Sequence, residues 1–432
     1  MAQDKFTRPL ADNHSRTATA RTQCTFDGLS ARPACRIKRR IRNLVDNVRI
    51  VYDGAALRFL DGVCVAQACF SPCGMVHIVG PLVIEPTQAN RICVVRLSAI
   101  GDTCHALAVV RAIQDFWPAA KLTWIIGKTE AGLLADIPDI EFIIFDKQAG
   151  LGAYADIRSQ LSGRHFDIAL CMHASMRANF LSRLIPSFYR LGFDRQRARD
   201  FQWLFTNQRI AAATNQHVLD GMMGFAKHIG VPGTPLRWDI PLSAEDQSFA
   251  TDVTAGDKPV MLISPCSSQR SRNFRNWGAA DYTAAAKHAV EKHGCKVILT
   301  GGPTKLEREY GQQIQQLSGP HVTNQIGKTS LKQLLALIAA SDLLVCPDSG
   351  PVHMATAVGT PVIGLYATSN PARSGPYLNS DLTVDAYGEA AQRYLGKSID
   401  QLRWGQRVRS PDAMELIHLQ DVNRKIDDFF SR

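Results

Sequence analysis

A short apolar run, a tight turn and the start of a helix follow one another in the stretch Leu343–Ala355, LLVCPDSGPVHMA. The first N–H groups of a helix lack intrahelical partners and lie at the positive end of its dipole, so they attract an anion. We therefore predict a phosphate site at this turn, where Gly350 leaves room for the ligand. Its backbone donors would be the N–H groups of Gly350, Val352 and His353. In the alternative interpretation, Asp348 or Ser349 only caps the helix.

A second turn of this type follows the apolar stretch Ile92–Leu97, in the segment Arg96–His105, RLSAIGDTCH. It predicts that Asp102 lies at the top of a sheet and at a helix N-terminus, where the dipole favours the ionised carboxylate. Such a carboxylate could take a proton from an attacking hydroxyl as a general base. The alternative is again a cap, because Asp is a common N-cap residue.

The segment Ser264–Trp277 combines several hydroxyl groups with three arginines: Arg270, Arg272 and Arg275. Because guanidinium groups bind phosphate oxygens bidentately, this segment could hold the phosphates of a leaving group. The alternative is a solvated basic loop.

Three further patterns fail on their spacing. The GKT triplets at 127–129 and 327–329 resemble the end of a P-loop but lack its earlier glycine. No GxGxxG pattern follows the first strand, which weakens the case for a dinucleotide oxidoreductase. Cys64, Cys69 and Cys73 lack the CxxC pairs of common zinc modules, so we expect no metal there.

Strands and helices alternate on either side of Gly230–Asp239, a segment rich in proline and glycine. Before it, apolar runs predict strands at Ile92–Leu97, Leu122–Ile126, Phe142–Phe145 and Ile168–Cys171. After it, they predict strands at Val260–Ser264, Val297–Thr300, Leu343–Cys346 and Val362–Tyr366. The alternation indicates an α/β protein with two Rossmann-like lobes, each a parallel sheet covered by helices, and a cleft at the carboxyl ends of the strands.

The length of 432 residues favours two domains, and 45% hydrophobic with 20% charged residues is typical of a soluble α/β protein. We find no apolar run of about 18 residues that could span a membrane. The first residues lack the apolar core of a signal peptide. Eleven cysteines, an odd number, do not indicate a disulfide framework. These features predict a cytoplasmic protein.

The net charge of +10 is concentrated at the N-terminus. Residues 1–43 contain ten Lys or Arg and three Asp, so most of the basic character belongs to a polar arm that we predict to be disordered. No nucleic-acid partner is expected, because the rest of the chain is close to neutral. The weakly amphipathic stretch Ile41–Leu60 could bind an anionic membrane surface, or it is a solvated arm or short surface helix. Met75 is an alternative start of the chain.

Five segments in this order resemble glycosyltransferase family 9, the heptosyltransferases. They are SAIGD at 98–102 with His105, RLGFD at 190–194 with ARD at 198–200, QHV at 216–218, PDSGPVH at 347–353, and LYATSNP at 365–371 with GPY at 375–377. The resemblance runs from about residue 91 to the C-terminus and implies the GT-B fold. The implied organisation is an N-terminal extension at 1–88, an acceptor domain at 89–235, a nucleotide-sugar domain at 236–410, and a final helix at 411–432 that packs back toward the first lobe.

The resemblance implies a monomeric Gram-negative enzyme of lipopolysaccharide synthesis that moves a heptose from ADP-heptose to a core acceptor, with inversion and without metal or cofactor. Asp102 would be the general base. The donor would be bound by Ser267, Ser268, Arg275, Glu307, Thr329, Asp348, Ser349, Gly350, Val352 and His353. The acceptor would be bound by His105, Arg177, Arg183 and Arg190. The basic arm would bring the enzyme to the inner face of the inner membrane.

Three departures from the family pattern leave the exact donor open. Arg275 stands where the family has lysine, Ala367 where it usually has glycine, and Cys266 where glycine or alanine is common. Two other functions remain alternatives. A nucleotide-sugar epimerase would use the same phosphate turn but would act on the sugar ring without an acceptor. A non-catalytic protein that binds nucleotide sugar or lipopolysaccharide would keep the pockets without needing Asp102.

Overall fold

The computed structural model describes residues 90–232, 235–267 and 273–431, together with the backbone of four short strands before them. The chain divides into two compact units, Met1–Ile78 and Val79–Arg432. The short strands form two pairs: β1 (Arg49–Asp53) with β2 (Ala56–Leu60), and β3 (Gln67–Phe70) with β4 (Val76–Val79). The antiparallel pair at 49–60 differs from the helix considered for that stretch. The predictions for the basic arm, for Met75 and for the cysteine side chains at 64–73 lie outside the described residues.

The first lobe is built on a six-stranded parallel sheet. Its strands are β5 (Arg91–Val95), β6 (Lys121–Gly127), β7 (Ile140–Phe145), β8 (Phe166–Leu170), β9 (Ser187–Gly192) and β10 (Gln208–Arg209). Its helices are α1 (Ile100–Phe116), α2 (Lys128–Leu134), α3 (Gly152–Gln160), α4 (Met176–Ser182) and α5 (Val218–His228). The spatial order β7-β6-β5-β8-β9-β10 is the Rossmann order, and the chain direction across the sheet switches between β5 and β8.

The second lobe repeats this plan. Its strands are β11 (Val260–Ile263), β12 (Lys296–Leu299), β13 (Val322–Asn324), β14 (Leu343–Pro347), β15 (Val362–Tyr366) and β16 (Val384–Asp385). Its helices are α6 (Ala244–Thr254), α7 (Ala279–His293), α8 (Lys305–Ser318), α9 (Leu331–Ala339), α10 (Gly350–Val358), α11 (Pro371–Ser374), α12 (Tyr387–Leu395) and α13 (Leu419–Phe430). The order β13-β12-β11-β14-β15-β16 places its switch point between β11 and β14. The predicted α/β fold with two Rossmann-like lobes is confirmed.

Burial of the central strands explains why they read as continuous apolar runs. Every residue of β14 is buried, and in β5 only Arg91 is exposed. Strands covered by helices on both faces cannot alternate apolar and polar residues. Each fully buried Leu, Ile or Val side chain contributes about 1.5–3 kcal/mol to folding. Among the described residues, no helix combines the length and hydropathy needed to cross a bilayer.

The linker between the lobes is anchored at its end to α1. The Trp238 indole N–H donates to the Cys104 carbonyl at 3.0 Å, and Arg111 donates to the carbonyls of Trp238 and Asp239 at 2.9 and 2.6 Å. The lobes also pack directly, α1 of the first against α10 of the second. The carboxyl ends of both sheets therefore meet across one cleft.

The C-terminal segment differs from its prediction. Pro411–Leu416 forms a 3-10 helix, and α13 follows and packs on α7, β15 and β16 of the second lobe, rather than toward the first lobe as expected. The physical reason is burial of apolar side chains, because Val422 and Ile426 are fully buried in the core of the second lobe. At the helix end, the Asp427 carboxylate bonds to Lys292, His288 and His293 of α7.

Candidate active site

Asp102 lies in the first turn of α1, after β5 and at the switch point of the first sheet. The N-cap of α1 is Ala99, so no side chain caps this helix and Asp102 is not the cap considered as an alternative. Asp102 instead forms an ion pair with Arg96, which also donates to the Met172 carbonyl at 2.6 Å. The Asp102 side chain keeps 38% of its surface exposed, so a substrate hydroxyl can reach it.

Opposing effects act on the pKa of the Asp102 carboxyl. Burial raises it, but the charge of Arg96 and the weaker influences of His353, His173 and Arg373 lower it, and the pKa ends below its usual value. The group is therefore ionised at neutral pH. An ionised carboxylate beside a cleft meets the first requirement of a general base.

Asp348 occupies the corresponding position in the second lobe, between the end of β14 and the start of α10. It is buried, and its Oδ2 accepts a hydrogen bond from the Ser369 hydroxyl at 2.7 Å. Ser349 is the N-cap residue, but its side chain accepts no N–H from the helix. Neither residue is thus a capping side chain, and the first-turn N–H groups of α10 receive no side-chain cap. Binding of an anion there remains a prediction.

Arg275 reaches the Asp348 turn from the loop that follows β11. Its Nη1 donates to the Asp348 carbonyl at 2.8 Å and lies 3.4 Å from the Asp348 carboxylate. Its Nε donates to the Asn273 side chain at 2.9 Å. These bonds fix the guanidinium beside the N-terminus of α10, the turn at which the sequence predicts a phosphate site. The other two arginines of the cluster, with Ser268, lie outside the described residues.

The two turns touch each other across the cleft. A methyl group on Gly101 would overlap the His353 ring, and one on Gly350 would lie 3.4 Å from Ile100. Burial lowers the pKa of His353, while the charges of both Asp348 and Asp102 oppose that shift. The two predicted turns therefore belong to one site.

Three histidines line the contact between the lobes. The His105 ring lies 4.4 Å from that of His353 and 5.5 Å from that of His217. Burial lowers the pKa of His217 to about 4 and that of His105 well below its usual value. Within the described residues, His105 Nε2 and His353 Nδ1 are buried without a hydrogen-bond partner. These histidines are neutral at physiological pH and could donate to or accept from a bound ligand.

Sequence reasoning missed Arg373, which lies in α11. Its pKa is lowered first by burial, and it responds to the charges of both Asp102 and Asp348. It forms no ion pair with a carboxylate among the described residues, and its Nε would lie 3.1 Å from a methyl group placed on Gly405. Arg373 lies between the NP and GPY motifs at 370–377, and this position is a sequence signal that could have identified it as a candidate site residue.

Arg96 was also given no role from the sequence, although the segment that contains it was singled out. It is the ion-pair partner of Asp102. The neighbouring His173 accepts the N–H of Leu97 at 3.2 Å, and burial, followed by the charge of Arg96, lowers its pKa to about 3. A buried arginine at the end of a strand is a signal that was available in the sequence only once the strand had been placed.

The remaining donor residues follow β11, β12 and β13, which are adjacent in the sheet. The Ser267 hydroxyl is buried and accepts from Asn273 at 2.6 Å, so it stabilises its own loop. The Glu307 carboxylate accepts the N–H of Gly302 at 2.7 Å and braces the turn after β12. Thr329 is partly exposed before α9. Their contacts with a donor remain predictions.

Of the three arginines predicted to bind the acceptor, the structure separates Arg177 from Arg183 and Arg190, and the charge of Arg183 acts on Arg190. Arg177 lies in the first turn of α4, close enough to His173 to affect its pKa. Arg183 lies at the other end of α4, about 10 Å away by the rise of a helix. Arg190 donates to the Ser187 carbonyl at 2.6 Å, at the amino end of β9, whereas the cleft lies at the carboxyl ends. Of the three, only Arg177 acts on His173, a residue that also influences the pKa of Asp102.

Comparisons with known proteins agree with this architecture. The family model of glycosyltransferase family 9 (heptosyltransferase) matches residues 154–400. The chain is 43% identical to lipopolysaccharide core heptosyltransferase OpsX of Haemophilus influenzae, over 79% of this chain and 97% of that protein. Two solved structures share the fold. A family 9 glycosyltransferase of Veillonella parvula is 19% identical with a TM-score of 0.64, covering 79% of this chain and 97% of that one.

The second solved structure is the ADP-heptose lps heptosyltransferase II of Escherichia coli, which is 18% identical with a TM-score of 0.60 over 79% of this chain and 98% of that one. Both structures support the GT-B fold, with two lobes and a cleft between them. The family match spans more than half of the chain, and the relative from Haemophilus influenzae is covered almost completely. The chain therefore belongs to glycosyltransferase family 9, the heptosyltransferases.

Proposed function

We propose that this protein transfers a heptose from ADP-heptose to a sugar of the lipopolysaccharide core, with inversion at the anomeric carbon and without a metal ion. One observation carries the proposal: two helix N-termini contact each other, and each holds an aspartate beside an arginine. Asp102 pairs with Arg96, and Asp348 lies beside Arg275. The identity to a core heptosyltransferase supports the acceptor class. The structural similarity to the ADP-heptose lps heptosyltransferase II of Escherichia coli supports ADP-heptose as the donor.

Asp102 is assigned the role of general base. Direct displacement at an anomeric carbon needs one group that accepts the proton of the attacking hydroxyl, and Asp102 is ionised and partly exposed. The ion pair with Arg96 and the bond from Arg96 to the Met172 carbonyl hold the carboxylate in one orientation. A low pKa makes Asp102 a weak base in the ground state. The hydroxyl becomes more acidic as its oxygen bonds to carbon, and only then does the proton move.

The departing ADP gains negative charge as the glycosidic bond breaks. Because the nearby histidines are neutral, the positive groups that the described residues offer to it are Arg275, Arg373 and the N-terminus of α10. Preorganised donors of this type stabilise developing charge, and the loss of one typically lowers kcat by roughly 10²–10³. The orphaned nitrogens of His105 and His353 would bond to sugar hydroxyls between the two turns.

On the acceptor side, Arg177 would bind a phosphate or carboxylate of the core. It is exposed, and it lies near His173 beside the Asp102 turn. A guanidinium suits such anions because its N–H groups match two oxygens at once. Arg183 and Arg190 are left to larger parts of the acceptor or to other roles.

The test is transfer by the purified protein from ADP-heptose to stripped lipopolysaccharide core in the presence of EDTA, with ADP release as readout. We expect release that needs acceptor, survives EDTA and falls by at least 10³-fold in Asp102→Asn, in line with the loss of a general base. NMR of the product should show the anomeric configuration opposite to that of the donor.

Two control measurements separate the alternatives. Circular dichroism and donor binding should be unchanged in Asp102→Asn, because the amide fits the same space. Acceptor-independent conversion of the donor would favour an epimerase. Donor binding without any ADP release, together with full cellular function of Asp102→Asn, would favour a binding protein. Either result overturns the proposal.

A further inference from the structure

Five large apolar side chains are exposed along one edge of the first lobe, and we call them the aromatic face. They are Phe180, Phe188, Phe201, Trp203 and Leu204, each between 48% and 60% exposed. They belong to α4, to β9 near the edge of the sheet, and to the loop at 194–207. Exposed apolar groups concentrated in this way and rimmed by polar residues are typical of a contact surface.

The loop of the aromatic face is held in place, so the exposure is built into the fold. Gln202 is buried between two exposed aromatic residues, and its side chain donates to the carbonyl of Cys171 at 2.9 Å. Asn179 of α4 donates to the Asp200 carbonyl at 2.7 Å. Asp200 and Phe201 have φ angles of 51° and 58°. Side-chain-bearing residues adopt this conformation at an energetic cost, which is typical of functional segments.

The same segment is strongly basic. Residues 173–209 contain seven arginines and two aspartates. One aspartate, Asp194, is paired with Arg197, and the other, Asp200, accepts the N–H of Met176. Within the described part of the chain, five exposed arginines of this segment form no ion pair with a carboxylate: Arg177, Arg183, Arg195, Arg199 and Arg209. Exposed apolar side chains and exposed arginines in one segment are complementary to an anionic surface with an apolar interior.

We propose that the aromatic face is the docking surface of this enzyme on an anionic lipid bilayer. Aromatic rings would enter the boundary between headgroups and acyl chains, and the arginines would bind headgroup phosphates. Helix α4 joins this surface to the catalytic site, since Arg177 at its start lies near His173 and the Asp102 turn. The inference rests on the proposed function in one respect: docking here would present a lipid-linked acceptor to Asp102.

The first experiment measures docking alone, with the full chain and vesicles of phosphatidylglycerol and phosphatidylcholine. We expect sedimentation with the vesicles to fall about tenfold in the triple variant F201S/W203S/L204S. The matched control is Leu317→Ser, a half-exposed leucine of the second lobe, which should bind as the parent does. Measurements at high salt screen the basic N-terminal arm, so that the apolar contribution is compared directly.

Insertion can be located by fluorescence. Lipids brominated near the headgroup should quench part of the tryptophan emission, and Trp203→Phe should abolish that quenching, because the other described tryptophans are buried or half-buried. In R195Q/R209Q we expect weaker binding to anionic vesicles with the same quenching at saturation. Quenching that persists in Trp203→Phe would overturn the proposed orientation.

An activity comparison separates this inference from the proposed function. The triple variant should keep parental activity on a soluble, deacylated core acceptor and lose about tenfold on the same acceptor embedded in vesicles. Absence of transfer to either acceptor would contradict the function and leave the vesicle result valid. Equal vesicle binding by parent and triple variant would overturn the docking surface. So would concentration-dependent dimers that vanish in the triple variant without any lipid binding, because a second copy would then cover the face.

Discussion

The two lobes place an aspartate at equivalent points of equivalent sheets but surround it differently. Asp102 follows the first strand of its sheet and Asp348 the fourth, each at the switch point and each before a helix whose N-cap side chain forms no capping bond. The Asp102 side chain is 38% exposed and ion-paired with an arginine of its own turn. The Asp348 side chain is 9% exposed and is held by Ser369 and by Arg275 from another loop.

This difference matches two chemical tasks. A proton acceptor must be accessible to a hydroxyl and must stay ionised. One nearby arginine keeps a carboxylate ionised and leaves it exposed. A diphosphate site must keep its dipoles fixed while charge develops, and buried hydrogen bonds achieve that. The comparison agrees with the proposal that the first lobe carries the acceptor chemistry and the second binds the donor, and variants at three positions test it.

The largest effect is expected at the contact between the turns. Gly101→Ala should lower kcat/KM by at least about 100-fold, equivalent to roughly 2.7 kcal/mol, because the added methyl group overlaps the buried His353 ring and separates the lobes. Steady-state kinetics measures this. The control is Gly132→Ala in α2, where a methyl group meets nothing within 4 Å. Parental activity of Gly101→Ala would show that the two aspartates do not work in one closed site.

The next effect is expected at Arg275. Arg275→Met should lower kcat/KM by about 30–100-fold, since it removes a charge-assisted donor to the leaving group. Arg275→Lys should recover much of that loss, because lysine restores the positive charge. Recovery should be incomplete, because lysine lacks the guanidinium N–H groups that bond to the Asp348 carbonyl and to Asn273. Donor binding by calorimetry and initial rates would measure both. Similar losses in the Met and Lys variants would mean that geometry, rather than charge, is what this residue supplies.

The smallest effect at neutral pH is expected at Arg96, and it sharpens the assignment of the base. Because Arg96 is the leading influence that lowers the Asp102 pKa against the raising effect of burial, Arg96→Gln should raise that pKa. Activity needs the deprotonated carboxylate, so it is lost as pH falls through the pKa. The acid limb of kcat/KM should therefore move to higher pH in the variant, and the difference from the parent should shrink to at most about a few-fold toward pH 8.

Arg164→Gln is the matched control for the pH profile. Arg164 forms an exposed ion pair with Glu141 in the same lobe, so its loss removes one positive charge without touching the site. Its acid limb should coincide with that of the parent. If the acid limb of kcat/KM stays in place in Arg96→Gln, Asp102 is not the base whose titration produces that limb.

The sequence predicted the positions of the strands and of the two turns accurately. All eight predicted strands are present within one or two residues, because buried parallel strands are unmistakable apolar runs between glycine-rich turns. Arg373 was missed because its neighbours Asp102 and Asp348 are distant in sequence. Arg177, Arg183 and Arg190 were all expected to bind the acceptor, but Arg183 lies at the far end of α4 and Arg190 bonds toward the amino end of β9.

The C-terminal helix shows the same division. The family resemblance implied a final helix, yet nothing in its sequence indicated that Val422 and Ile426 would cover the second lobe. The charge distribution shows it too. Summed over the chain, the basic residues pointed to the N-terminal arm, whereas the arginines of 173–209 become conspicuous only when α4, β9 and the loop bring them onto one edge with five exposed apolar side chains.

By itself, then, the sequence determined the fold class, the family and the positions of Asp102 and Asp348 at the starts of two helices, since these depend on local patterns of burial, turns and spacing. Only the tertiary structure decided that Gly101 contacts His353, that Arg373 responds to the charges of both Asp102 and Asp348, and that Arg177 acts on the pKa of His173. The physical reason is that hydrophobic periodicity fixes which residues are buried within an element. Distances between charged groups depend on how separate elements pack, and that packing joins residues far apart in the chain.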